Sequence, residues 1–107
     1  MTSHILLVAT VDAAASSTFQ LTKPSDGQVV ALQVIGLAGT EKAYLQIEDY
    51  ANPDTFVNLL INGSEVYCDV GNNIITFSMA GKFRINKDAS VAAVAVCIMS
   101  DKEVLTY

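Results

Sequence analysis

Apolar and polar residues alternate along much of this 107-residue chain. Phe19 and Leu21 alternate with Thr18, Gln20 and Thr22, Leu45 and Ile47 with Tyr44, Gln46 and Glu48, and Val66, Cys68 and Val70 with Glu65, Tyr67 and Asp69. A period of two sends successive side chains to opposite faces of a strand. Between these runs stand turn-forming stretches: "KPSDGQ" at 23–28, "GLAGT" at 36–40, "YANPD" at 50–54, "VGNN" at 70–73, "MAGK" at 79–82 and "NKDAS" at 86–90. Their Gly, Pro, Asn and Asp residues favour the backbone angles of tight turns. Asn62-Gly63 is the sharpest signal, because both residues tolerate positive φ and the pair sits between apolar runs.

The pattern predicts roughly eight or nine short strands: two within 4–26, then 28–35, 42–49, 55–61, 64–70, 73–79, 82–86 and 90–99. "VDAAASS" at 11–17 is the one stretch of helical composition, and it is too short to stand as a helix without packing. It reads as a loop or a single turn. The expected fold is therefore all-β: one domain over 1–107, an antiparallel β-sandwich of roughly eight strands in jelly-roll-like order.

Three runs break the alternation by being apolar on both sides. "SVAAVAVCIM" at 90–99 has Ala92, Val94, Val96 and Ile98 in one row and Val91, Ala93, Ala95, Cys97 and Met99 in the other. "ILLV" at 5–8 and "VVALQVI" at 29–35 behave alike, with Gln33 the lone polar residue. A strand of an antiparallel sandwich ordinarily has one wet face. A domain of about 100 residues buries only about two thirds of its chain surface, too little to hide such strands in two layers. Other polypeptides are the expected cover, with Val94, Val96 and Ile98 in the core and Ile5, Leu7, Ala93, Ala95, Cys97 and Met99 at a subunit interface.

Composition narrows the partners. Hydrophobic residues make up 51% of the chain and charged ones 16%, which excludes a disordered segment. A net charge of -5, with six Lys and Arg scattered singly, offers no basic stripe for nucleic acid and opposes an anionic membrane. The amino end has an apolar run followed by Ala13, Ala14 and Ala15, yet it lacks the positive start of a secretion signal, and no apolar run has the roughly 20 residues that span a bilayer. Cys68 and Cys97 fit neither a zinc set nor a CxxC pair and read as free, buried thiols.

Chemistry finds few parts. Glu48, Asp49, Asp54, Glu65 and Asp69 crowd the segment 45–70, but they fall on different faces and in turns, without the spacing of a calcium loop or the buried partner of a glycosidase pair. His4 is the only histidine and has no evident orienting partner, so a hydrolytic triad lacks its base. No phosphate-binding glycine motif is present. The expectation is a protein that is not an enzyme and takes no metal, cofactor or small-molecule substrate. An alternative use of the surface is a carbohydrate- or receptor-binding module built from Tyr44, Tyr50 and Tyr67 with Asp49, Asn52 and Asp54.

The succession "AYLQIEDY", "TFVNLLING", "GNNIITFSMAGKFRINKDAS" and "VAAVAVCIM" resembles small β-sandwich proteins of tailed-bacteriophage virions. "LQIEDYANPDTFVNL" corresponds there to a strand, a bent acidic loop and a return strand, and "FRINKDASVAAVAV" to a final hairpin. The likeness covers about 19–99 and is one of strand and turn pattern; the apolar start at 5–11 departs from it. It implies a capsid decoration or cement subunit, or part of a head fibre or tail, made in the host cytoplasm and ending on the capsid surface. The partners it implies are the major capsid protein and further copies of the chain, often in trimers, with no catalytic residues.

Overall fold

The computed structural model describes residues 2–21, 29–100 and 105–106. Among these residues there is no helix, and the strands are β1 (Thr2–Thr10), β2 (Ala14–Ala15), β3 (Phe19–Leu21), β4 (Val30–Ile35), β5 (Ala43–Glu48), β6 (Phe56–Asn58), β7 (Leu60–Ile61), β8 (Ser64–Glu65), β9 (Tyr67–Cys68), β10 (Ile74–Phe77), β11 (Gly81–Lys87), β12 (Val94–Ser100) and β13 (Leu105–Thr106). All pairings are antiparallel. One sheet has the order β1-β12-β4-β10; the second runs β13-β3-β11-β5-β6, with β2 also on β11 and β9 on β5, and β7 and β8 form a separate hairpin. The two sheets share one core, so the fold is an all-β antiparallel sandwich.

Alternation builds that core. Val30, Leu32 and Val34 of β4 and Val94, Val96 and Ile98 of β12 point inward from the first sheet; Phe19, Leu21, Leu45, Phe83 and Ile85 meet them from the second. Phe77 bridges the layers, its ring centroid 5.1 Å from Phe83 and 6.1 Å from Phe19. Burying each such side chain is worth about 1.5–3 kcal/mol, and each ring pair about 0.5–1.5 more.

Several boundaries differ from the sequence pattern for identifiable reasons. The final strand begins at Val94, because 88–93 is a loop; Ala93 therefore leaves the strand row in which its alternation puts it. The run 55–61 divides at Leu59, which turns into the core while its N–H donates to the Leu45 carbonyl and its own carbonyl accepts from Val66. That turn swings β7 and β8 off the sheet as a two-residue hairpin, with Asn62 and Gly63 at φ 54 and 81 as their pairing predicts. Val70, alternating with Cys68 in sequence, is exposed beyond the end of β9. The stretch 11–17 is loop plus the short β2. The expected turn at 23–28 lies outside the described residues.

In β1 the register slips twice: Ile5 faces Cys97, Leu7 faces Val96 and Thr10 faces Val94. The Leu6 carbonyl accepts from Ser17 N–H at 2.8 Å and so stitches β1 to the segment between β2 and β3. A bulge of this kind turns the strand and changes which side chains face inward. Leu6 enters the core and Leu7 packs against it, leaving Ile5 and Val8 outside.

Candidate functional site

The acidic segment resolves into turn chemistry. Asp49 accepts from Ala51 N–H and the Asn52 amide, both at 3.1 Å, and these bonds, the Asn52 one first, hold its carboxyl below its ordinary value. Glu48 accepts from Asp54 N–H at 2.9 Å, and Lys82 lies 3.9 Å from both Glu48 and Asp54. Asp69 caps Gly71 and Asn72, and Glu65 accepts from Asn58 at 2.6 Å. Among the described residues no three His, Cys, Asp or Glu side chains converge as metal ligands. His4 sits opposite Ile98 in β1, and its side chain lies outside the described residues.

The residues of the alternative binding module are divided between the two ends of β5. Tyr44 and Tyr67 pair across β5 and β9 with centroids 5.7 Å apart, and the Lys42 ammonium covers the Tyr67 ring at 4.5 Å. Tyr50, fully exposed, stands with Asp49, Asn52 and Asp54 in the loop past the far end, about 20 Å along the strand from Tyr44. Beside Tyr67 is a shallow hollow of about 440 Å³ lined by Glu65, Asp69, Asn72, Ile74 and Thr76.

The two outer faces of the sandwich differ in kind. The second sheet is polar outside: Arg84 donates to Gln46 at 2.7 Å, Gln46 to Asn58 at 3.0 Å and Asn58 to Glu65, a relay across β11, β5, β6 and β8. Arg84 also lies over the Phe56 ring at 4.5 Å. On the first sheet the outward positions are Ile5 and Val8 of β1, Ala95, Cys97 and Met99 of β12, Ala31, Gln33 and Ile35 of β4, and Ile74 and Thr76 of β10. None carries a charge. Ile5 is 67% exposed, Val8 77%, Ile35 49% and Ile74 44%, in a patch that is continuous across all four strands.

Of the six residues expected at a subunit interface, Ile5, Ala95, Cys97 and Met99 share this face. The bulge turns Leu7 against the core, and Ala93 is exposed in the end loop. Val8, Ile35 and Ile74 belong to the face without having been singled out by sequence. The two-sided apolar run 29–35 held the signal for Ile35; the adjacent Ile74 and Ile75, with no alternation between them, gave none for Ile74. Both cysteines are free: Cys68 is buried in the core and Cys97 half-buried on the outer face. Burial, then the neighbouring Asp69 charge, pushes the Cys68 thiol up to about 11. Comparison with known protein families, with curated proteins and with solved structures finds no match to this chain.

Proposed function

We propose that the chain is a structural subunit of a tailed-bacteriophage virion, a capsid decoration or cement protein that holds neighbouring shell proteins by protein–protein contact. The observation that carries this reading is the uncharged, four-stranded outer face of the first sheet, with Ile5, Val8, Ile35 and Ile74 open to solvent in a single chain. A face of that kind is a site of association. The reading assigns no catalytic step to the protein; it works by area, since small contacts repeated by symmetry stabilise a shell against internal pressure.

Strand order supports a jelly roll. The pairings nest, β1 with β12, β3 with β11, β4 with β10 and β5 with β6 and β9, as when one long hairpin is rolled into two layers. Jelly rolls recur in viral capsid proteins, an analogy of fold that adds weight without deciding function. On this reading the partners are the major capsid protein and further copies of the chain, trimers on the strength of the resemblance, and the protein ends on the capsid surface. The test is mass measurement of native particles together with the oligomer mass of the purified protein. Particles that carry the chain in a fixed copy number are the expected result. Purified protein that stays monomeric and fails to bind its capsid removes the reading.

A further inference from the structure

The outer face of the first sheet has an order that goes beyond being apolar. Across β12 and β4, Ala95 stands beside Ile35, Cys97 beside Gln33 and Met99 beside Ala31. Each rung therefore holds one small side chain and one large one, and the large one changes strand between the second and third rungs. Ile5 extends the Cys97–Gln33 rung on β1, and Ile74 extends it on β10.

We propose that a second copy of this chain occupies the face, packed sheet on sheet about a two-fold axis that runs along the strands between β12 and β4. The inference rests on the reading of the chain as an assembly subunit, and it puts a two-fold pair in place of the trimer there, since an isologous contact leaves none of this face for a third copy. The rotation lays β12 of one copy over β4 of the other at the same level along the strands. Ile35 then seats on Ala95 of the second copy, Met99 on Ala31, Cys97 on Gln33 and Ile5 on Ile74, and each contact occurs twice, as a two-fold interface requires. Over β12 and β4 large side chains meet small ones, and only at the flanks does Ile5 meet Ile74, so the centres of the two faces interlock near the spacing of about 10 Å usual between stacked sheets.

Charge favours the same occupant. Two chains of net charge -5 repel on most approaches, and this face lets them meet over uncharged side chains, with Glu65 and Asp69 only at its β10 edge, in the hollow they share with Ile74 and Thr76. A basic partner would find acids to pair with only at that edge, and none across β1, β12 and β4. Area sets the strength: four strands about 4.8 Å apart and about six residues long give a footprint of order 400 Å². That is half of what a standard interface buries per partner, so free copies associate in the micromolar range or more weakly. Mounting on a common particle raises the effective concentration.

Sedimentation equilibrium of the full chain from about 1 μM to about 1 mM reads the association. The wild type is expected to pass from monomer to dimer mass. Ile5→Lys and Ile74→Glu, both at exposed positions, each enter the homodimer twice and are each expected to weaken pairing at least about tenfold, a cost of about 1.4 kcal/mol. An equimolar mixture of the two variants should recover the dimer, because the new ammonium of one copy meets the new carboxylate of the other while the second such contact stays isoleucine on isoleucine. Circular dichroism and continued protection of buried Cys68 check that each variant is folded. A wild type monomeric throughout, dimers indifferent to both substitutions, or a mixture that fails to recover each overturns the inference. Particles that contain the chain while the free protein never pairs leave the proposed function standing. Copies that pair in this register but are absent from particles remove the virion role and keep the contact.

Discussion

Lys87 ends the inward row of β11, below Phe83 and Ile85, and is only 1% exposed. Its ammonium donates to the Asp12 carbonyl at 2.6 Å, the Asp88 carbonyl at 3.0 Å and Ser90 Oγ at 3.2 Å, which satisfies all three N–H groups and ties the loops after β1 and β11 together. Alternation alone puts residue 87 inside, but a lysine there reads as a strand end, because buried charge needs partners that a sequence does not display. Lys87→Met keeps the apolar stem and removes the donors. The expected cost is about 2–4 kcal/mol, seen as a lower urea midpoint at unchanged slope; an unmoved midpoint would mean that water replaces the ammonium. The thiols provide a second check at this scale. With Cys68 buried and its thiol raised to about 11, a disulfide-exchange reagent at pH 8 should titrate one fast cysteine, Cys97, in the native protein and two in denaturant. Two fast native thiols would contradict the burial of Cys68.

At the scale of elements, the end loops are clasped by Glu41. Its carboxylate accepts from Ala38 N–H at 3.0 Å and from Val91 N–H at 2.9 Å, joining the β4–β5 and β11–β12 loops, and these two bonds, Val91 first, lower its pKa from the ordinary 4.5. Gly36 lies under the same loop: at φ +108, an added Cβ would come within 2.3 Å of the Ala93 carbonyl. A carboxyl with a depressed folded pKa contributes stability that is present above its unfolded value and is lost as pH falls through the folded one. The Ala38 and Val91 amide resonances should therefore shift together with a midpoint below 4.5, and Glu41→Gln should abolish the step. A midpoint at or above 4.5 would show that the clasp does not form. Sequence made much of this layer legible: the period-two cores of β3, β4, β5 and β12 and the Asn62-Gly63 hairpin are local properties. The clasp, the Leu59 break and the β1 bulge were not legible, since each depends on hydrogen bonds between residues far apart, and Val91, Ala92 and Ala93 look like strand until Glu41 holds the Val91 N–H and Ser90, itself held by Lys87, donates to the Ala92 carbonyl.

For the whole molecule, the decisive feature is that charge and greasy surface are segregated: among the described residues the acids lie in the loops and around the second sheet, the uncharged face on the first. Copies stacked along the thinnest dimension, 25 Å, place two charges of -5 about that far apart. Treated as points in water, they repel by about 4 kcal/mol unscreened, about 2 at 0.01 M salt, where the Debye length is about 30 Å, and a few tenths at 0.15 M. The apolar contact itself hardly responds to such salt. Raising sodium chloride from about 0.01 to about 0.15 M should therefore tighten self-association roughly tenfold, with little change beyond, since the repulsion is by then screened. Sulfate, excluded from protein surface, should tighten it further. Docking through the acidic loops onto a basic surface has the opposite sign, because the same ions would screen an attraction. Association measured at several ionic strengths thus separates the two faces of the molecule, and a dimer that loosens with salt would place the contact away from Ile5, Cys97, Ile35 and Ile74.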